Sequence, residues 1–523
     1  MYIKKSKIAL GFILIYFLMM GLSRPVHSGE ISEIKTQHEI SNYIDYTSHR
    51  NLEEFINKLQ KKSDQMKVLS YGKSLQGRNL PIVIFSKEGI KTPHEAHLTK
   101  RPIILLGANI HGDERTLRES SLFLMRELAI KGSKLNSFLD EIIVIFTPTL
   151  NPDGFEASKK GTRRNSLGID MNRDYMKLEQ MSLIHFVQKV LQKWKPHLWV
   201  DGHNGGRFPY HISYLCSSNA AVNKEILGFC DNKLLPFINN DLKRKKYRSF
   251  YYKKGNKTEW TIGGHKTRIG RNYGGLLNII SVLFESPNWQ SHEIGAKSGL
   301  AALKSVIRFS SFHKDEILNI TKRAKRETID EGLKARGNIV VKMKYEAMEK
   351  PVSYLIGGKK VGTKRKIIKV KNAKIMRKIV PVKLRPRPYA YLLKPQFNQS
   401  IDLIRRHNIK INQLSKDQVL NVDVYKLNEI KYKPLYDHKK AVTVTLGETL
   451  TKDVLFPKGS YYLKTGQELG KLLEQLMEPE TSDNIIKWNT MDFALPERII
   501  RGEKKEIPIY KMMKKQKIFY SDL

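Results

Sequence analysis

Cysteine is nearly absent from this chain: there are two, Cys216 and Cys230, in 523 residues. Neither is spaced as a zinc-ligand pair, which argues against a cysteine-built metal centre. In an oxidising compartment they can close one short ring, but its formation is optional, and the two read as packing residues. Long apolar runs are equally scarce. The run at the start, Ile8–Leu22, is shorter than the ~20 residues a membrane-spanning helix needs. It follows Lys4, Lys5 and Lys7 and precedes Val26-His27-Ser28, the layout of a basic region, an apolar core and a small-residue cleavage site. Residues 1–28 are therefore expected to be a signal peptide, and the mature chain to be periplasmic or secreted. No cysteine stands at the cleavage point, which argues against a lipid-anchored protein.

Acidic residues are the next shortage, 51 Asp and Glu against 93 Lys and Arg, for a formal charge of +42. Such an excess ordinarily suggests nucleic acid as partner. Here the lysines are dispersed through the chain without forming one stripe, and no nucleic-acid-binding motif occurs, so no specific nucleic-acid partner is expected. Electrostatic adhesion to anionic envelope polymers and a lysine-biased genome both remain as explanations. Proline is sparse at 20 residues and the chain is 40% hydrophobic, which excludes wholesale disorder. No internal repeat is evident. The length exceeds what one core comfortably organises and predicts two domains.

What is present is concentrated before residue 290. His111-Gly-Asp-Glu114 stands directly behind the apolar run Pro102–Asn109, and Val200-Asp-Gly-His203 ends another short apolar stretch. Two histidines and a glutamate so placed form a zinc site of the His₂Glu type with a fourth position open to water. Between them lie Asn151-Pro-Asp-Gly-Phe155 and Arg163-Arg-Asn-Ser-Leu-Gly-Ile-Asp-Met-Asn-Arg-Asp-Tyr175, and Ser281-Val-Leu-Phe-Glu285 follows. Upstream, Tyr71-Gly-Lys-Ser-Leu-Gln-Gly-Arg78 leads into Leu80–Phe85 as an entry hairpin.

These blocks, in this order, resemble the zinc metallocarboxypeptidases of the carboxypeptidase A/B, D and M kind, in a bacterial-type exported form, over roughly residues 35–315. The resemblance implies one zinc per chain on His111, Glu114 and His203. It implies Glu285 as general base and then acid, and Arg164, or its neighbour Arg163, as the stabiliser of the developing oxyanion. Asn172 and Arg173 would hold a terminal carboxylate, which a guanidinium binds bidentately. Asp170 would orient His111. The family's closing tyrosine has no unmistakable counterpart; Tyr273, in Gly270-Arg-Asn-Tyr-Gly-Gly275, is the candidate, with a lid over the core as the rival reading. Glu285 also reads as a strand-end acid satisfied by backbone. Asp201 is left without a role, and His185, His197 and His211 read as structural.

The fold class expected is α/β: a mixed central sheet flanked by helices, followed by a β-rich accessory domain. Leu80–Phe85, Pro102–Leu106, Ile142–Phe146, Leu198–Val200 and Ile279–Phe284 read as buried strands. Leu117–Ile130, Leu183–Trp194 and Glu293–Ser311 have helical spacing, and so does Ser41–Lys67. The basic stretch Lys322–Arg336 reads as a linker between a catalytic domain at 35–315 and a β-rich domain of unreadable role at 337–523. In that tail, short β-branched runs such as Lys366–Val370, Ile375–Val382 and Val419–Tyr425 predict strands, with minor helices at Ile401–His407 and Glu468–Met477.

The function expected is an exported zinc metallocarboxypeptidase that releases C-terminal residues from peptides. One alternative keeps the site and takes muropeptides of the bacterial cell wall as substrate. Another is a non-catalytic peptide-binding protein on the same fold, and a third is an acyl-amidohydrolase sharing only the histidine–glutamate set.

Overall fold

The computed structural model describes residues 28–256, 258–361, 364–498 and 505–523. The segment read as a signal peptide lies outside the described residues, apart from Ser28. Among the described residues no helix is long and apolar enough to cross a membrane.

Up to residue 285 the strands are β1 (Met66–Lys73), β2 (Asn79–Phe85), β3 (Ile103–Ala108), β4 (Ile143–Thr147), β5 (Leu198–His203), β6 (Ile212–Cys216), β7 (Ser249–Tyr251), β8 (Lys253–Gly255), β9 (Glu259–Ile262) and β10 (Ile280–Glu285). Eight of them form the central sheet, in the order β1-β2-β4-β3-β5-β10-β6-β7. Its middle, β4-β3-β5-β10, is parallel; β1 and β2 meet their neighbours antiparallel, β6 meets β10 antiparallel, and β7 joins β6 in parallel. Strands β3, β4, β5 and β10 are buried along their whole length. That is why they read as continuous apolar runs and not as alternation.

Helix α1 (His49–Lys62) starts on the Ser48 side chain and buries Leu52, Phe55, Ile56 and Leu59 on one face. The helical spacing read over Ser41–Lys67 is narrower in the structure, because β1 has begun by Met66. Helix α2 (Thr116–Ala129) opens directly behind Glu114; α3 (Gly270–Leu276) and α4 (His292–Phe312) flank β10 on the chain. The stretch expected as a linker is mostly helix: α5 (Lys314–Leu333) buries Ile317, Ile320, Thr321, Ala324 and Thr328. Its many basic residues sit on the other face, and they masked the apolar spacing in the sequence.

The remainder carries β11 (Asn338–Ala347), β12 (Val352–Val361), β13 (Lys364–Pro386), β14 (Ala390–Leu393), β15 (Asn412–Leu414), β16 (Gln418–Leu435), β17 (His438–Phe456), β18 (Tyr461–Lys464), β19 (Lys505–Met512) and β20 (Tyr520–Asp522). Two short helices, α6 (Asn398–Arg406) and α7 (Gly470–Met477), stand where the spacing placed them. The runs at 366–370 and 375–382 are one strand, β13. It pairs with β11 and β12 on its two halves and, in parallel, with β9. The other seven strands form a sheet ordered β17-β16-β19-β14-β18-β15-β20. Buried apolar residues from Ile31 to Ile509 make one contiguous core, so the C-terminal sheets pack into the same interior as the central one.

Cys216 and Cys230 are joined in a disulfide, with Cα atoms 6.1 Å apart. The reading as mere packing residues is corrected here. Cys216 ends β6, and Cys230 sits in a helix packed against it, so the fold supplies a separation that sulfur can bridge.

Candidate metal centre

The site lies at the carboxyl ends of β3, β5 and β10, the edge where open α/β sheets build their sites. His203 and Glu285 are the last residues of β5 and β10, and they are register partners on those adjacent parallel strands. His111 and Glu114 lie in the loop between β3 and α2. Asn109, at a left-handed φ of 59°, turns the chain there, and its Nδ2 donates to the carbonyl of His111 at 2.8 Å. The two glycine-bearing motifs meet back to back: a Cβ on Gly112 would stand 2.1 Å from the carbonyl carbon of Gly154. Only glycine permits that approach, so Asn-Pro-Asp-Gly is a mould for the His-x-x-Glu loop. Asp153 is held by Ser74 Oγ (2.6 Å) and Arg78 Nη1 (2.8 Å) of the entry hairpin.

The ligand geometry repeats itself on the two histidines. Each turns Nδ1 inward: His111 Nδ1 lies 2.8 Å and His203 Nδ1 2.6 Å from Glu114 Oε2, and the two nitrogens are 3.2 Å apart. Each turns Nε2 outward to a carboxylate, His111 to Asp170 Oδ1 at 3.0 Å and His203 to Asp201 Oδ2 at 3.1 Å. One donor atom from each of His111, Glu114 and His203 lies within 4.8 Å of the others, and all three residues are buried. An Nε2–H held by a carboxylate leaves an Nδ1 lone pair facing inward, which is the arrangement of metal-binding histidines. The donor set fits zinc.

The charges agree with this arrangement. Burial opposes ionisation of Glu114, but the neighbouring His111 and His203 hold its carboxyl well below the usual range. Burial likewise opposes Asp170, and His111, Arg163 and Arg173 prevail over it to hold that carboxyl low. Glu285 is the exception. Burial pushes it up, against the pull of His203 and with the push of Glu114 and Asp201, to about 8. Among the described residues its Oε2 has no hydrogen-bond partner, so backbone satisfaction of that oxygen is not observed. A Cβ on Gly205 would stand 2.3 Å from the same oxygen, so glycine leaves the room it occupies.

The arginines separate in a way the sequence left open. Arg163 reaches the group: Nε to Asp170 Oδ2 and Nη1 to Glu114 Oε1, each at 3.1 Å. Arg164 turns away, donating to the carbonyl of Gly168 at 2.6 Å and pairing with Asp437. Asn172 Nδ2 lies 3.4 Å from His203 Nε2, and its Oδ1 accepts from Gly270 N at 2.9 Å. Arg173 is half-buried beside it. Tyr273 is not brought to the site: it is fully buried in α3, with its hydroxyl 2.9 Å from His407 Nδ1. Its flanking glycines made a helix look like a loop.

Asp201, Arg271 and Tyr252 are the residues that sequence reasoning left without roles. Asp201 precedes His203 by two on a strand, so the two share a face, and that signal was available. Arg271 is buried, with Nη2 on Ser218 Oγ (3.1 Å) and the carbonyl of Gly264 (2.7 Å). The Tyr252 hydroxyl is kept protonated first by the charge of Glu285 and then by burial. His197 and His211 accept backbone N–H groups from Ile103 and Arg248. A cavity of about 1220 Å³ lies elsewhere, lined by Lys195, Lys325 and Glu468 among others. The metal group is not part of it.

A zinc carboxypeptidase family model matches residues 52–206. Carboxypeptidase 2 of Trichophyton rubrum is 24% identical over 481 residues, covering 85% of each chain. Carboxypeptidase M of Mus musculus is 35% identical over 115 residues, 20% of this chain and 25% of that one. A metallo-carboxypeptidase structure from Burkholderia cenocepacia aligns at 17% identity with a TM-score of 0.41, over 51% of this chain and 70% of that one. Residue order, donor chemistry and relatives converge on a zinc metallocarboxypeptidase, with residues 52–206 matching the zinc carboxypeptidase family.

Proposed function

We propose that the protein is an exported zinc carboxypeptidase that hydrolyses the C-terminal peptide bond of peptides, with the catalytic unit at 35–315 and the 337–523 region packed against it. The observation that carries the reading is the paired histidines, each with one ring nitrogen on a carboxylate and the other facing Glu114. When bound, zinc supplies Lewis acidity to the scissile carbonyl and acidifies the attacking water.

The protein's own part follows from its side chains. Glu285, raised to about 8 and lacking a partner on Oε2, is suited to take a proton from water near neutral pH and return it to the leaving amine. Arg163 is the guanidinium nearest the metal group and is the better placed of the two to meet negative charge developing there; Arg164 would have to leave Asp437. Asn172 and Arg173 receive the substrate's terminal carboxylate. Export is supported by the Cys216–Cys230 disulfide, since such bonds persist in oxidising compartments. Peptides are favoured over muropeptides by the relatives alone, which are carboxypeptidases.

The test is mass spectrometry of a peptide panel and of muropeptides after incubation with zinc-loaded protein. Ladders shortened from the C-terminus are expected, and cleavage confined to muropeptides selects the cell-wall alternative. Arg173→Ala should impair peptides with a free C-terminal carboxylate far more than C-terminally amidated ones. Equal losses on both would remove Arg173 from carboxylate binding and turn the reading to an endopeptidase or amidohydrolase.

A further inference from the structure

The turn joining β16 to β17 carries Tyr436 and Asp437, far along the chain from Glu285, and it is seated on the strip that holds the metal group. Asp437 Oδ2 accepts from the backbone N–H of Asp170 at 2.9 Å, and its Oδ1 pairs with the Arg164 guanidinium. Asp170 in turn orients His111 through one oxygen and holds Arg163 through the other. Asp437 is thus one hydrogen bond removed from the carboxylate that sets the His111 ring.

Three further observations mark the seat as built. Tyr436 takes a left-handed φ of 50° in a two-residue turn, Leu435 pairing with His438, the kind of backbone a tight hairpin turn uses. Its ring lies over Arg173, 5.0 Å from the guanidinium carbon, and over Arg268 at 5.8 Å. Arg268 is itself buried and paired with Asp483 at 2.6 Å, so the turn rests on a fixed base. The space left among Asp170, Arg173, Arg268, Tyr436 and Asp437 is about 20 Å³, so the fit is close.

We propose that Asp437 is a positioning residue of the metal centre: it pins the 164–170 strip so that Asp170 and Arg163 meet His111 and Glu114, which makes the C-terminal hairpin an integral wall of the active site. This rests on the zinc-site reading above for its ligand. Removing a hydrogen-bond partner of a metal-ligating residue typically weakens metal binding 10–100-fold. Asp437 acts one step further out, through Asp170, so about tenfold, the low end of that range, is expected.

The experiment is zinc competition against a chromogenic chelator, with thermal melting of every protein, for wild type, D437A, D437N, H203A and D453N. Asp453 lies on the same hairpin, exposed, with its Oδ1 accepting from Asn421 Nδ2 at 2.8 Å. D437A should bind zinc about tenfold more weakly while melting cooperatively. D437N, which keeps an oxygen for the Asp170 N–H but loses the charge facing Arg164, should fall between, and D453N should match wild type. If D437A does not fold, the near-isosteric D437N carries the same test. Wild-type zinc affinity in whichever of the two folds overturns the proposal. In turnover, a positioning role lowers kcat with KM little changed; a rise in KM alone would make Asp437 a substrate contact, and a gain in kcat would make the turn an obstruction, and either overturns it. Zinc affinity is read without substrate. A wild type that binds zinc but releases no C-terminal residue therefore defeats the carboxypeptidase reading and leaves this inference standing.

Discussion

Two clusters of buried charge can be set side by side. At the edge of the central sheet, His111, Glu114 and His203 point their donor atoms at one another, and Glu285 Oε2 has no partner among the described residues. In the C-terminal sheet, Lys511 Nζ lies 2.8 Å from Glu478 and donates to Tyr425 Oη (2.7 Å) and the Pro386 carbonyl (2.9 Å). Glu478 accepts from Tyr391 and Tyr425, one on each oxygen. Both clusters are buried and both are charged. The second is closed, since all three ammonium donors and both carboxylate oxygens are used within the protein. The first is open, and its inward lone pairs call for a cation. Burial and charge do not tell the two apart; whether the donors and acceptors are used up does.

The comparison breaks most sharply at the open cluster. His203→Ala should abolish most zinc binding, from about one zinc per chain in wild type, as measured by elemental analysis. Full occupancy in that variant would move the metal elsewhere. Glu285→Gln should keep the fold and the zinc yet lose on the order of 10²–10⁴-fold in turnover. Turnover and melting measured on one preparation decide it: a stability loss with activity retained would return Glu285 to the closed, structural class.

At the closed cluster the expected effects are reversed. Lys511→Ala strands the Glu478 carboxylate in the interior and should cost about 3–5 kcal/mol of stability, by denaturant unfolding, with zinc affinity unchanged in the folded protein. A loss of zinc affinity without loss of stability would erase the distinction drawn here. Comparable in size, and confined to a pH window, is an effect at Asp174, whose carboxyl burial pushes up to about 7 from an ordinary 3.8. The folded state favours the neutral acid, so wild type loses stability as pH rises from about 4 to about 7 and is level above that. Asp174→Asn removes that dependence. The stability difference between variant and wild type should therefore shift in the variant's favour across this window, by up to about 4 kcal/mol. A gap that stays constant between pH 4 and 8 would show that Asp174 is not so perturbed.

The open cluster was legible in the sequence because its members end strands or closely follow one. His203 and Glu285 close apolar runs, and a polar residue at that point has few structural reasons to be there. The glycines of His-Gly-Asp-Glu and Asn-Pro-Asp-Gly were readable as motifs, but their contact belongs to the folded chain. What escaped reading depends on distance along the chain. Whether Arg163 or Arg164 turns inward is settled by Asp437, more than 270 residues on. Tyr273 is drawn from the site by His407, and Cys216 meets Cys230 through the packing of a helix on β6. Local spacing also concealed the helix at Lys314–Leu333, where basic residues fill the face turned from the core.

The register that sets Glu285 beside His203 has a bearing on how this protein tolerates change. Their separation is fixed by two hydrogen-bonded strands, so it is a property of the sheet and not of any loop. A slip of one residue would carry Glu285 about 3.3 Å along the strand and turn its side chain to the opposite face. Insertions around the rim can accordingly drift in length and composition while the proposed general base and the proposed metal ligand keep their spacing. The chemistry is inherited with the scaffold, and the loops remain at liberty to choose what it acts upon.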